Sequence, residues 1–303
     1  MTNSSFLCGG TGWDRDGAFL RLSDPAGQPA ALRLGHGAEL RFRIRSEAPR
    51  YCLGYELVHE EGRKPRACPD QAAAERGYQC RRCFFADEGR LVHNSHRGGD
   101  LPAGLRSFLA RPQWLYIATF ADGTTKVGTA ADQRKTLRLT EQGALAAQYV
   151  ARAANGLQVR ILEDAVSSGL GLPQAVRSGH KCASLAAALP DTVLESINAG
   201  HADDARTLLL DREQQGFDVV KEAWTRPEAF DAVLQNPGAG LYPLPLGAGE
   251  HGLVLRGMLG STALAATDDV GLSFLADLTA LKGQRLELGA YSSALPALQE
   301  PLF

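Results

Sequence analysis

LYIATFADGTTKVGTAADQRKTLRLTEQGA, residues 115–144, is the stretch whose reading decides the fold. Asp122-Gly123 between two apolar runs is a hairpin signal. The spacing predicts a strand over Trp114–Phe120 and a second over Thr125–Gly128. Asp132 can N-cap a short helix running through Leu139. On that helix Arg134 and Arg138 stand four residues apart and share a face. Downstream, ALAAQYVARAA reads as a further strand, and Asn155-Gly156 turns the chain into the helix LQVRILEDAVSSGL. Its apolar face is Leu157, Ile161, Leu162, Ala165 and Val166, with Arg160 three residues before Glu163.

Working outward, residues 1–48 read as β-structure, with GAFLRLSDPAGQPAALRL as two strands around a Pro/Gly turn and AELRFRIR alternating at period two. Residues 49–100 have little periodicity and hold Cys52, Cys68, Cys80 and Cys83. Residues 101–185 form the α/β piece centred on the hairpin. Residues 186–240 read as helices broken at Pro190 and Gly200, and residues 241–303 return to β-structure. The last segment echoes the first, so the two ends are expected to pair into one β-domain, a barrel or a sandwich. QNPGAGLYPLPLGAGEHG is an unusually long Gly/Pro loop, suited to be a lid over a pocket. The fold class is therefore α+β.

The 44% apolar and 22% charged composition is that of an ordinary globular chain. No run of 18 apolar residues predicts a membrane span. The start, MTNSSFLCGGTGWDRDG, lacks the pattern of a secretory signal, so the cytoplasm is the expected compartment. A net charge of −2 argues against a general nucleic-acid binder. The distribution argues differently: between Gly104 and Arg160 the bases Arg106, Arg111, Lys126, Arg134, Lys135, Arg138, Arg152 and Arg160 face only Asp122, Asp132 and Glu141. From Pro190 onward acids outnumber bases. The basic middle points to an anionic partner, against the plainer alternative of solvated helix faces.

Cys80-Arg-Arg-Cys83 lets one tight turn present two thiolates to a tetrahedral ion. Cys52 and Cys68 supply the other pair, with His93 and His96 as alternatives. Four cysteines leave no open coordination position, so the expected Zn2+ is structural. Cys182 beside His180-Lys181 reads either as a buried thiol or as a reactive one. His36, His59, His201 and His251 have no partner that the sequence names. No P-loop, nucleophile elbow or dinucleotide fingerprint is present.

Tyr116, Lys126, Arg138 and Glu163 are the candidate catalytic set. Arginine holds phosphate oxygens, a carboxylate holds Mg2+ or Mn2+, and a phenol moves a proton. The alternative is a surface ion-pair network with Tyr116 as a core aromatic.

LYIATFADGTTKVGTAADQRKTLRL followed by VRILEDAV resembles the GIY-YIG family. Trp114-Leu115-Tyr116 and Lys126-Val127-Gly128 stand where that family's two tripeptides do, Arg138 where its arginine does and Glu163 where its glutamate does. Lys126 replaces the usual tyrosine. The span from Cys52 to Leu185 resembles a prokaryotic family known only as a domain of unknown function. That family joins a cysteine-rich ribbon to YxA…KVG…R…QGA. HNSHRGG and Glu141-Gln142-Gly143-Ala144 carry the match. The resemblance implies a zinc ribbon ahead of a GIY-YIG-like core and no particular activity. Arg134, Gln142, His96 and Arg97 are the candidate substrate-binding residues. Two functions follow. The first is nucleic-acid binding, with or without metal-dependent phosphodiester cleavage. The second is binding or conversion of a small anionic metabolite in the same pocket. A zinc-stabilised scaffold without catalysis is the plain alternative to both.

Overall fold

The computed structural model describes residues 4–45, 49–59, 62–94, 101–212, 215–268 and 270–295. The N-terminal segment forms β1 (Ser4–Asp14), β2 (Gly17–Ser23), β3 (Pro29–Arg33) and β4 (Glu39–Ile44). The cysteine-rich segment forms β5 (Tyr55–His59), β6 (Gly62–Arg66), α1 (Arg81–Ala86) and α2 (Leu91–Asn94). Then come α3 (Ala103–Leu109), β7 (Gln113–Thr119), β8 (Thr125–Ala131), α4 (Lys135–Gln142), β9 (Ala146–Ala153), α5 (Gly156–Leu170), α6 (Ser178–Ser184) and α7 (Asp191–Leu210). The chain continues through β10 (Phe217–Ala223), α8 (Asp231–Leu234), β11 (Gly240–Leu241), β12 (Gly249–Leu259), β13 (Thr262–Thr267), β14 (Val270–Asp277) and β15 (Arg285–Leu288). The mixture of helices and sheets is α+β.

Strands from both chain ends share one sheet, ordered β11-β14-β13-β12-β4-β15-β1-β2-β3. Ser4 pairs with Leu288, and Leu40 with Leu253. The order is open, so among the described residues the β-domain is one continuous sheet, neither a hydrogen-bonded barrel nor two separate sheets.

The hairpin strands lie in a second sheet, β10-β9-β7-β8. Period-two alternation on β7 sorts its side chains between two cores. Tyr116 and Ala118 join the core shared with the large sheet, while Leu115 and Ile117 join the core under α5 and α7. The small sheet is therefore a middle layer. The alanines of β9 let α7 lie close across it. Asn198 on α7 donates to the Ile117 carbonyl and to Thr119 Oγ1 at 3.2 and 3.0 Å.

Several expectations change. Asp132 caps no α-helix, because its carboxylate is taken by Trp114 Nε1 at 2.6 Å. Residues 132–134 form a 3-10 turn instead, so Arg134 precedes α4 and does not share a helical face with Arg138. On α5 the buried face is Val159, Leu162, Glu163 and Val166, while Leu157 and Ile161 are exposed. The stretch expected to be helical after residue 186 contains β10, which extends the small sheet beyond β9. Helix α7 runs through Gly200 unbroken. The Gly/Pro segment is no free lid: Tyr242 N–H binds the Leu275 carbonyl at 2.9 Å, and Tyr242 and Leu246 are buried. Its Tyr242 hydroxyl meets His251 Nδ1 at 2.9 Å and Ser293 Oγ at 2.8 Å.

Candidate functional site

Hairpin β5–β6 solves the loose spacing of the first cysteine pair. Cys52 precedes the hairpin and Cys68 follows it, so antiparallel pairing brings the two together. Gly54 makes the turn into β5 at φ +86°, where a Cβ would collide with the Arg66 carbonyl. Cys80 and Cys83 come from the start of α1. All four thiols are buried and their sulfurs lie within 4.8 Å of one another. Cys68 Sγ and Cys80 Sγ are 3.9 Å apart. Zn–S bonds of about 2.3 Å in a tetrahedron give S···S edges of about 3.8 Å, so the tetrad fits Zn2+. Burial, then the neighbouring thiols, push the Cys83 pKa up, because a thiolate there is costly without a cation to neutralise it. Cys52, Cys68, Cys80 and Cys83 thus form a site able to bind a metal. His96 and Arg97, and the His93 side chain, lie outside the described residues. Cys182 is buried, and burial holds its pKa up at about 11, which removes the reactive reading.

The second cluster is built around Tyr116. Register places it opposite Gly128, whose missing side chain makes room for the ring: a Cβ there would sit 2.5 Å from Tyr116 Oη. Gln142 at the end of α4 donates through Nε2 to the Tyr116 hydroxyl at 2.8 Å. Burial raises the Tyr116 pKa, with Arg138 and the Gln142 hydrogen bond pulling against it. Tyr116 therefore keeps its proton at neutral pH and is no base. Lys126, also buried, donates through Nζ to the Gln174 carbonyl at 3.0 Å. Burial, then Arg138, pull its pKa down to about 8, with Glu163 opposing.

Glu163 is 4% exposed and forms an ion pair with Arg160 at 2.5 Å. Besides Arg160 it acts on Lys126, which Arg138 also faces. One committed carboxylate among cations does not suit Mg2+ or Mn2+, which bind through carboxylates and phosphates. Arg134 is turned away from the cluster, its guanidinium bound to Glu141 at 2.6 Å. Lys135 is held by Glu222 at 2.6 Å and lies over the Trp114 ring at 3.3 Å.

Lys181 on α6, which the hairpin does not announce, completes the cluster. Its Nζ donates to the Gln142 carbonyl at 3.0 Å and lies 4.1 Å from the Phe120 ring centre. Burial, then Lys126 and Arg138, bring its pKa down to about 7. A cavity of about 10 Å³ lies beside it, lined by Phe120, Gln142, Gly143, Leu259, Ser261 and Thr262 among others. Gln142 Oε1 is buried without a hydrogen-bond partner. Neighbouring His180 is paired with Asp122 at 2.7 Å. The structure thus brings together Tyr116, Lys126, Arg138, Gln142 and Glu163, adds Lys181, and leaves Arg134 apart.

No family model, curated protein or solved structure matches this chain. No helix among the described residues is long and apolar enough to cross a membrane.

Proposed function

We propose that the Tyr116 cluster binds a small anionic ligand, carboxylated or phosphorylated. One observation carries this reading: Lys126 and Lys181 spend their hydrogen bonds on backbone carbonyls, with Arg138 as a further cation beside them. Three other bases of the middle segment behave differently. Arg134, Lys135 and Arg160 are each matched by a glutamate. Lys126, Lys181 and Arg138 bring three cations to one place, which suits a compact anion. A bound anion would return both lysines to their charged forms and receive the Arg138 guanidinium.

A second reading is nucleic-acid binding. Tyr116, Arg138 and Glu163 are electrostatic neighbours on a hairpin and two helices, as the GIY-YIG resemblance implies, and a four-cysteine ribbon precedes them. Arg138 is exposed, so a backbone phosphate would meet it first. Cleavage is the weaker part of that reading, given the cationic setting of Glu163.

The test compares inorganic phosphate, pyrophosphate, single-stranded RNA and duplex DNA as ligands in a thermal-shift titration at two salt concentrations. The Lys126→Met and Arg138→Ala proteins run alongside. Stabilisation by the small anions, lost in both variants, is the expected result. Binding of nucleic acid alone, falling steeply with salt and lost with Arg138→Ala, would replace the first reading by the second.

A further inference from the structure

We propose that the cysteine-rich segment binds single-stranded nucleic acid through Phe85 and the guanidiniums around it, on a surface separate from the Tyr116 cluster. Phe85 is 61% exposed, and among the described residues no other aromatic side chain is exposed. It lies on α1, where Arg81 stands four residues earlier on the same helix face. The Phe84 ring meets the Phe85 ring edge-on, with centres 5.7 Å apart. The guanidiniums of Arg76 and Arg90 lie over Phe84, 5.0 and 5.1 Å from its centre. Arg90 is fixed further by its Nε, which donates to the Phe84 carbonyl at 3.0 Å. Arg76, Arg81 and Arg90 are all exposed.

The acids of the segment decide the sign of this surface. Asp87 accepts from the Glu56 and Gly89 N–H groups at 2.8 and 3.3 Å, and Glu88 from the Val58 N–H at 2.7 Å. Asp70 pairs with Arg82 at 3.2 Å, and Glu56 with Arg63 at 3.1 Å. Glu75 accepts from the Arg81 backbone N–H at 3.3 Å. These carboxylates are spent on backbone amides or on other arginines. Among the described residues none forms an ion pair with the guanidinium of Arg76, Arg81 or Arg90. A guanidinium held over a ring keeps its N–H donors for phosphate oxygens.

A single strand uses both halves of the surface. Its phosphates suit the three arginines, and its unstacked bases offer flat faces to Phe85. In a duplex those faces are already stacked on one another. A free phosphate ion has no use for the ring.

The full chain as purified is titrated by fluorescence anisotropy with labelled strands of about 12 nucleotides, a common site size. The strands are oligoadenylate as RNA and as DNA, an abasic strand of the same charge, and a duplex. Phe85→Ala, Phe85→Trp, Arg81→Gln and Arg138→Ala proteins run alongside. Either base-bearing strand is expected to bind about fivefold or more tightly than the abasic strand, and Phe85→Ala to erase that difference, the lower end of one lost stack. Phe85→Trp is expected to keep it. Arg81→Gln is expected to lower the salt dependence by the share of one phosphate. Arg138→Ala is expected to change nothing. Equal binding of base-bearing and abasic strands, or no binding of either, overturns the proposal, and wild-type protein alone decides this if a variant fails to fold. Loss with Arg138→Ala while Phe85→Ala binds as wild type also overturns it, and would place the strand on the Tyr116 cluster. Capture by phosphatidylserine vesicles without capture by strands would make the surface a membrane contact instead.

Discussion

Tyr116 and Gly128 are legible from the chain because a tight turn fixes which hairpin residues face each other. Once Asp122-Gly123 is placed, Tyr116 falls opposite Gly128 and Ala118 opposite Lys126. The need for glycine here is spatial, since a Cβ would lie 2.6 Å from Tyr116 Cζ and nearer still to its oxygen. Gly128→Ala is expected to destabilise the protein by about 1–3 kcal/mol in urea melts, the usual range for overpacking. In a Tyr116→Leu background the same change is expected to cost little, because the ring it displaces is gone. Equal costs in both backgrounds would refute this account of the glycine. Lys181 was not legible in this way. It lies 55 positions after Lys126 in the chain, and its approach depends on how α6 packs on β14.

At the scale of elements, local chemistry decided what the sequence made visible. The CxxC turn and the Asn155-Gly156 turn, whose asparagine caps α5, are both short-range devices. Asn155 Oδ1 accepts from Gln158 N–H at 2.8 Å, so Asn155→Ala is expected to cost about 1 kcal/mol by thermal or chemical melting. A stabilised or unchanged variant would show that the cap is dispensable. The face of α5 was misread because apolar periodicity alone leaves out Glu163, which is buried through its pair with Arg160. Asp132 was misread because a capping aspartate and a partner for the Trp114 indole look alike in one dimension. In the cysteine-rich segment Val58 and Val92 pack on Leu105 and Leu109 of α3, but the part around the thiols has only Tyr55 and Ala72 against it, too little to hold that part without a staple. Purified protein is therefore expected to carry one zinc per chain by elemental analysis. Cys83→Ser is expected to lower that content and to expose the Gly62–Arg66 strand to trypsin, leaving the rest folded. Full zinc occupancy in that variant would remove Cys83 from the ligand set.

At the scale of the whole molecule, sheet order was the least legible feature: the echo between the chain ends predicts that they pair, but no local mark sets the order of strands almost 300 positions apart. β10 was hidden for the same reason: an edge strand with exposed polar residues reads like the helical sequence around it. What the assembled molecule adds is a linkage between pH and stability. In the unfolded chain Lys126 and Lys181 keep their protons to about pH 10.4. In the folded chain they release them near 8 and 7. Between these values the unfolded state binds more protons, so stability rises with pH, and the burden of holding both charges is greatest below pH 7. His251, whose pKa burial lowers, acts in the same direction on the acid side, since acid charges it more readily once unfolded. Cys8 and Cys182, pushed up to about 11, oppose that slope as pH passes the ordinary thiol range near 8.5. Urea midpoints are therefore expected to climb from pH 7 to pH 8.5, with a flatter climb in Lys126→Met and Lys181→Met. Saturating phosphate is expected to flatten it as well, because a bound anion keeps both lysines charged in the folded state. Its stabilising effect should be largest at pH 7 and shrink toward pH 8.5. A phosphate effect that does not change across that interval would place the anion somewhere other than on these two amines.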